Sequence, residues 1–348
     1  MDKSIKIELR SDTFTLPTSA MLTAMTQAKL GDDVYGEDPT VRELEAKAAH
    51  MLGKEAAIFM PSGTMANLAS IMAHCPRGTK VLVGDESDIY IYEAAGASIC
   101  GGVMYEPIKT KSDGRLDLYD LQQSIPRDTT DPQFALPGLI CLENPHNRMG
   151  GRVLPLSYLV DIQRFSKQHN IPVHMDGARI WNAAITMGIP ASTIASYVDS
   201  IQFCLSKGLS APIGSMVAGS QAFIQNVYRI RKMLGGGMRQ TGVIAAAGIV
   251  ALDQMINRLE DDHINARLLA KGLAKIPGII CETQVETNIV FFRVTDSRFT
   301  WEKVVHFLQQ HGVYVDELGH GRIRAVTHAG IKTEHIEQAL KVIRHMLA

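Results

Sequence analysis

Cysteine is scarce in this chain: five in 348 residues, none in a C-x-x-C spacing. Cys75, Cys100, Cys141, Cys204 and Cys281 are odd in number and scattered. That argues against a disulfide framework or a structural zinc site, and for free thiols in a reducing, cytoplasmic setting with no metal centre. An excess of one charge is also missing. The 35 Lys and Arg face 36 Asp and Glu, a net charge of -1 with no like-charge block, which excludes nucleic acid or an anionic membrane surface as the main partner. The longest mostly apolar stretch, Gly242 to Leu252, has roughly half the ~20 residues a membrane span requires and reads as a buried helix. Met1 to Arg10 is charged and polar, without the apolar run of a signal peptide. No repeat period stands out, which argues against solenoids and propellers. No G-x-G-x-x-G follows a strand in the N-terminal half, which argues against a nicotinamide enzyme.

What is present is the composition of a compact enzyme subunit of two domains, 46% hydrophobic and 20% charged. Short apolar runs at Ala56 to Met60, Lys80 to Val83, Gly138 to Leu142, Ile171 to Met175, Ser200 to Cys204 and Met216 to Ala218 alternate with helical or Gly/Pro-punctuated segments. This predicts an α/β fold, a mostly parallel sheet wrapped by helices. Asp12 to Pro39 reads as an irregular arm with one helix around Ser19 to Ala28. Beyond about residue 253 the pattern predicts a long charged helix (Asp253 to Leu273), strands at Asn288 to Val294 and near Arg322 to Thr327, and helices at Trp301 to His311 and Thr333 to Met346. The division expected is an N-terminal arm (1–30), a large domain (31–255) and a smaller α+β C-terminal domain (256–348).

Chemistry concentrates where strands end. Lys207 stands in Cys204-Leu-Ser-Lys-Gly-Leu, where an apolar strand gives way to small residues, and a lysine in a desolvated hollow is the kind that forms a Schiff base. Asp176 ends another strand, in His174-Met-Asp-Gly-Ala-Arg. Alone, a carboxylate that ends a strand is more often a helix N-cap. Ligands of open α/β sheets bind beyond the carboxyl ends of strands, however, so the two side chains can converge on one ligand. The pair fits pyridoxal 5'-phosphate, with the lysine forming the imine and the carboxylate keeping the pyridine nitrogen protonated. Arg179 would then reach the ring's phenolic oxygen. Pro61-Ser-Gly-Thr at a helix start offers backbone N–H groups to a phosphate, with Ser206 as a further contact. Leu234-Gly-Gly-Gly-Met-Arg-Gln, after Arg231 and Lys232, combines a hinge with cations and suggests an anion site that serves a neighbouring subunit.

These strings, with Leu9-Arg-Ser-Asp-Thr, Gly31-Asp-Asp-Val-Tyr-Gly-Glu-Asp-Pro-Thr and Leu142-Glu-Asn, run in order along essentially the whole chain. Together they resemble the low-specificity threonine aldolase and β-eliminating lyase family of pyridoxal-phosphate enzymes. The resemblance implies fold type I, the aspartate-aminotransferase-like fold, with a mostly parallel seven-stranded sheet in its large domain. It implies Lys207 as the Schiff-base lysine, Asp176 as the partner of the ring nitrogen and Arg179 as a ligand of the ring oxygen. Gly63, Thr64 and Ser206 would bind phosphate, and Ser11 and Arg324 the substrate carboxylate. Lys232 and Arg239 would approach the cofactor from the adjacent subunit of a homotetramer, a dimer of dimers with shared active sites.

Three positions depart from that family's pattern. Asp88 stands where the family usually places a histidine that stacks over the cofactor ring, Gln133 where a second histidine is usual, and Pro145 where threonine is common before His146-Asn. The activity expected is cleavage of L-threonine or L-allo-threonine to glycine and an aldehyde, with Asp88 as base or water-orienting group. The departures favour, as the alternative, β-elimination, racemisation or aldol cleavage of a bulkier or more polar substrate. A non-catalytic binding protein on this fold has no need of Lys207 together with Asp176. His146, His174 and His328 adjoin these motifs but read as hydrogen-bonded structural residues.

Overall fold

Apolar residues at consecutive strand positions mean that both faces of the sheet are covered. The computed structural model describes residues 6–281 and 284–347; the polar N-terminal stretch falls partly outside them. After a short β1 (Ile7–Glu8), the main sheet is built from β2 (Ala56–Met60), β3 (Lys80–Gly84), β4 (Met104–Ile108), β5 (Pro137–Glu143), β6 (Val173–Asp176), β7 (Ser200–Cys204) and β8 (Ser215–Gly219). Its seven strands lie in the order β2-β8-β7-β6-β5-β3-β4, and only β8 runs antiparallel to its neighbours. The two-residue period of a strand sorts the side chains into separate cores. Phe59, Leu82, Ile140, Leu142 and Met216 join one cluster. Their neighbours Ile58, Met60 and Val217 pack on the other face, as do Val81, Val83, Leu139 and Cys141. The sequence pattern missed β4, which contains Pro107. This strand lies at the sheet edge, where proline's missing N–H leaves no ladder bond unmade.

The N-terminal segment carries one α-helix where it was expected. It holds α1 (Ser19–Gln27) and leads into α2 (Pro39–Leu52). Asp38 binds this region together: its carboxylate accepts from the N–H groups of Thr40 and Val41 at the start of α2, and from those of Gly31 and Gly242. A Cβ on Gly31 would lie 2.2 Å from the carbonyl oxygen of Glu37, so packing explains this string without any ligand.

The buried helix expected at Gly242 to Leu252 is present as Gly242–Gln254, and the charged helix expected from Asp253 starts only at Leu259 and runs to Leu273, the two bent by 69°. Nothing in Met255-Ile-Asn-Arg breaks a helix. Packing sets the bend, because Ala245, Ala247 and Ala251 belong to the main core and Ala266, Leu269 and Leu273 to a second one. The second core underlies a four-stranded antiparallel sheet. Its strands are β9 (Ile279–Cys281) and β10 (Ile289–Val294) and, following β11 (Val313–Tyr314), β12 (Asp316–Glu317) and β13 (Ile323–Val326), in the order β12-β13-β10-β9. β1 pairs in parallel with β11, so Ile7 and Leu9 enter this second core. That pairing of distant segments left no local signal. It brings Ser11 and Asp12 to the main sheet's functional edge. Among the described residues, no single helix is long and apolar enough to cross a membrane.

Candidate active site

Except for β8, the main-sheet strands are parallel, so their carboxyl ends share one edge, and the residues just beyond them converge. β2 delivers Pro61, Ser62 and the start of α3 (Gly63–His74). β6 ends at Asp176, and β7 leads to Ser206 and Lys207. With Asn67, Asp88, Tyr92, Glu93 and Gln202, these groups line a cavity of about 310 Å³. Asp88 enters from α4 (Asp88–Ile91), which follows β3.

At the deep end the Asp176 carboxylate is held by three donors. Asp176 is 3% exposed and accepts from Asn67 Nδ2 at 2.9 Å, from the backbone N–H of Ala178 at 3.0 Å and from Gln202 Nε2. Burial pushes its carboxyl above the ordinary range, against the pull of Lys207. Asn67 also donates to Glu93 at 2.8 Å, and burial beside Asp176 raises the Glu93 carboxyl well above its usual value. His174 fixes the Asn67 amide through Oδ1 at 3.1 Å and contacts Ser200 Oγ at 2.9 Å, while burial holds its pKa down to about 3. It is a structural residue, as the sequence suggested. The Lys207 amine has no hydrogen-bond partner among the described residues. Ser62 caps α3 by accepting from Met65 N–H. A Cβ on Gly63 would stand 2.9 Å from Cys204 Sγ, so the close approach here requires glycine.

A cationic cluster lies outside the cavity lining. Arg179 does not line the cavity: its Nε and Nη2 donate to Asp12 at 2.8 Å each, a buried bidentate pair. Burial opposes both charges, yet each partner outweighs it, lowering the Asp12 carboxyl below the carboxylate range and raising the guanidinium. Contact with a ring oxygen, expected of Arg179, must therefore be made by a group already committed to Asp12. Arg324, on β13, donates to Asn147 Oδ1 at 2.7 Å and to the Arg10 carbonyl at 2.8 Å. Burial and neighbouring Arg179 hold its pKa down to about 10, still charged at neutral pH, and its buried Nε has no partner among the described residues. Ser11 Oγ lies beside this pair, 3.5 Å from Asp12 Oδ1.

Asp88 forms the roof. Its two carboxylate oxygens lie 3.0 and 3.2 Å from Asn147 Nδ2, and its N–H donates to Glu143 Oε2 at 2.8 Å. One turn on, the Tyr92 hydroxyl accepts from Arg148 at 2.8 Å. Asn67, Glu93, Glu143, Asn147 and Gln202 went unmarked in the sequence reading. Spacing could have flagged two of them, since Gln202 shares a strand face with Cys204 and Asn67 sits one turn beyond Gly63.

Several expected site residues lie elsewhere. Gln133 is exposed and bonded to Asp131 in its own loop, outside the cavity. Arg231 is buried and structural, donating to the Phe59 carbonyl and paired with Asp33 at 2.9 Å. Lys232 is exposed, and exposed Arg239 pairs with Asp32 at 3.0 Å; neither lines the cavity of its own chain. His146 is buried with both ring nitrogens unpartnered among the described residues, and burial lowers its pKa to about 4. His328 contacts the Glu8 carbonyl at 2.8 Å.

A family model described as beta-eliminating lyase matches residues 8–297. The chain belongs to the β-eliminating lyase family. Low-specificity L-threonine aldolase 1 of Arabidopsis thaliana is 44% identical over 344 residues, covering 98% of this chain and 96% of that one. The low specificity L-threonine aldolase of Escherichia coli K12 is 41% identical over 342 residues, 98% and 99% of the two chains. Among solved structures, the threonine aldolase of Leishmania major superposes with a TM-score of 0.83 at 18% identity, covering 98% of this chain and all (100%) of that one. The architecture is therefore that of fold-type-I pyridoxal-phosphate enzymes. The β-eliminating lyase cavity also fits the cofactor on its own observations: a buried carboxylate held by three donors, a lysine amine without a hydrogen bond among the described residues, and a helix start where a side chain on Gly63 would clash.

Proposed function

We propose that this enzyme cleaves a β-hydroxy-α-amino acid, L-threonine or L-allo-threonine, to glycine and an aldehyde. The observation that carries the reading is the convergence of Lys207, Asp176 and the start of α3 in one cavity, with Arg324 joined to the lining residue Asp88 through Asn147 and Ser11 beside the Asp12–Arg179 pair. Lys207 would hold pyridoxal phosphate, Asp176 would face its ring nitrogen, Arg179 its ring oxygen, and Gly63, Thr64 and Ser206 its phosphate. When bound, the cofactor supplies the electron sink for the pair released at the substrate's α-carbon.

Ser11 and Arg324 take the substrate carboxylate, the planar guanidinium suiting a carboxylate's two oxygens. Asp88 accepts the β-hydroxyl proton. The O–H electron pair becomes the aldehyde C=O, the Cα–Cβ bond breaks, and its pair stays with the glycine carbon until that carbon is protonated. A placed base of this kind contributes roughly 100- to 10,000-fold.

The catalytic unit is a dimer of dimers in the cytoplasm. Lys232 and Arg239 are exposed beside a glycine-rich loop, with Tyr35 (76% exposed) and Met233 (65%) also uncovered there, which supports their reaching a neighbour's cofactor. Three of the five thiols, Cys75, Cys141 and Cys204, are buried without a disulfide, as suits a reducing compartment.

A second reading rests on Asp88, which has no ring to stack on the cofactor and presents a charge to the substrate side chain. It assigns a more polar or bulkier β-substituted amino acid, or β-elimination. Release of aldehyde, of the 2-oxo acid that keeps the substrate's carbon skeleton (2-oxobutyrate, phenylpyruvate or pyruvate) and of ammonia from L-threonine, L-allo-threonine, phenylserine and serine separates the two. Threonine isomers are expected to lead with aldehyde as product. 2-Oxobutyrate and ammonia from threonine without aldehyde would sink the aldolase reading.

A further inference from the structure

Asn147 makes contacts that none of these roles explains. It is 4% exposed and lies in the loop after β5. Its Nδ2 faces both Asp88 oxygens at 3.0 and 3.2 Å, and its Oδ1 accepts from Arg324 Nη1 at 2.7 Å. A carboxylate only accepts and a guanidinium only donates, so the amide fits in one orientation. The backbone is equally fixed. The N–H groups of Asn147 and Asp88 donate to the two oxygens of the same Glu143 carboxylate, at 2.8 Å each. Glu143 is 5% exposed, at the carboxyl end of β5. One buried acid thus clamps Asp88 and Asn147 together, and one amide joins that pair to an arginine on the small sheet.

We infer that Asn147 is a positioning residue that couples the substrate-carboxylate clamp, Arg324, to the proton acceptor, Asp88. The inference rests on the reading of Asp88 and Arg324 given above. A carboxylate that engages Arg324 bears on Asn147, which sets the lone pairs of Asp88 toward the β-hydroxyl. Asp88 has no other side-chain donor among the described residues, so without Asn147 its carboxylate is free to rotate about χ2.

Two substitutions separate the halves of this role. Asn147→Asp keeps an acceptor for Arg324 and removes the donor to Asp88; Asn147→Ala removes both. With purified enzyme loaded with pyridoxal phosphate and L-threonine as substrate, Asn147→Asp is expected to lower kcat roughly 10- to 100-fold with KM within about threefold. Asn147→Ala should lower kcat similarly and also raise KM about tenfold. In an Asp88→Ala background neither substitution should lower kcat further by more than about twofold, while Asn147→Ala still raises KM. The cofactor's visible band should persist throughout. Equal kcat losses with and without Asp88 would overturn the inference, as would loss of the cofactor band in both Asn147 variants. Normal kcat in Asp88→Ala alone would identify a different failure, that of the proton-acceptor reading, and the inference would fall with it.

Discussion

The two ends of the cavity are built differently. At the deep end, Asp176 and Lys207 sit at or just beyond the ends of adjacent parallel strands, and Asp176 is held by three donors. At the roof, Asp88 begins a helix of only four residues, and its partners come from the loop after β5 and, through Arg324, from the second sheet. The sequence resemblance rests on the strand-end groups, and Asp88 is where the sequence reading placed one of its departures. A sheet edge fixes the deep end through backbone register. The roof depends on side chains bonded across segments far apart in sequence, so under the proposed roles one residue there can change the chemistry while the fold stays the same.

Four substitutions sharpen that contrast. The largest effect belongs to the deep end: Asp176→Asn keeps the shape but removes the charge that would face the ring nitrogen. Steady-state assays should show kcat reduced roughly 100- to 1,000-fold; a loss under about threefold would mean that the carboxylate only caps the strand. Arg324→Lys, at the boundary between the ends, exchanges a planar fork for a point charge. KM is expected to rise about 10- to 100-fold with kcat little changed, and the reverse split would remove Arg324 from substrate binding.

His146 tests whether burial near the roof is structural. Its folded pKa of about 4 lies below the ordinary 6.5. The unfolded chain therefore binds the proton first, and this contribution to stability is intact above about pH 6.5 and lost as pH falls toward 4. Urea unfolding at pH 7 and pH 5 should show His146→Gln gaining about 2 kcal/mol on the unsubstituted chain between the two conditions. A difference independent of pH would mean that the histidine is charged in the folded protein. The smallest effect is expected from Asp88→His. A neutral imidazole also accepts from Asn147 Nδ2 and also serves as a base, so kcat should move by less than about tenfold. A gain well beyond that for threonine would show that Asp88 is suited to another substrate.

The sequence revealed the deep end better than the roof, for physical reasons. Lys207, Asp176, Gly63 and Ser206 each stand where an apolar run gives way to small residues, a local signal that the parallel sheet converts into proximity. Arg179 has the same signal, but its commitment to Asp12, 167 residues away, depends on β1 pairing with β11, which no local pattern announces. Gln133 and Arg231 were read from their neighbours in sequence; the structure bonds one within an exposed loop and buries the other beneath Phe59. Glu143 and Asn147 stood within or beside recognised strings without a role, because their work is to bond to other side chains. The six principal strands were found from apolar runs. The proline-containing edge strand was not, since sheet position decides it, and the charged helix starts at Leu259 rather than Asp253 because the two cores set the bend after Gln254.

The central claim is that Lys207 is the amine that holds the cofactor. Purified protein would be incubated with pyridoxal phosphate, reduced with borohydride, digested and analysed by mass spectrometry, with Lys207→Ala treated in parallel. A pyridoxyl phosphate adduct confined to the peptide that contains Lys207, and absent from the variant, is the predicted result. An adduct on another lysine, or none at all, would contradict it.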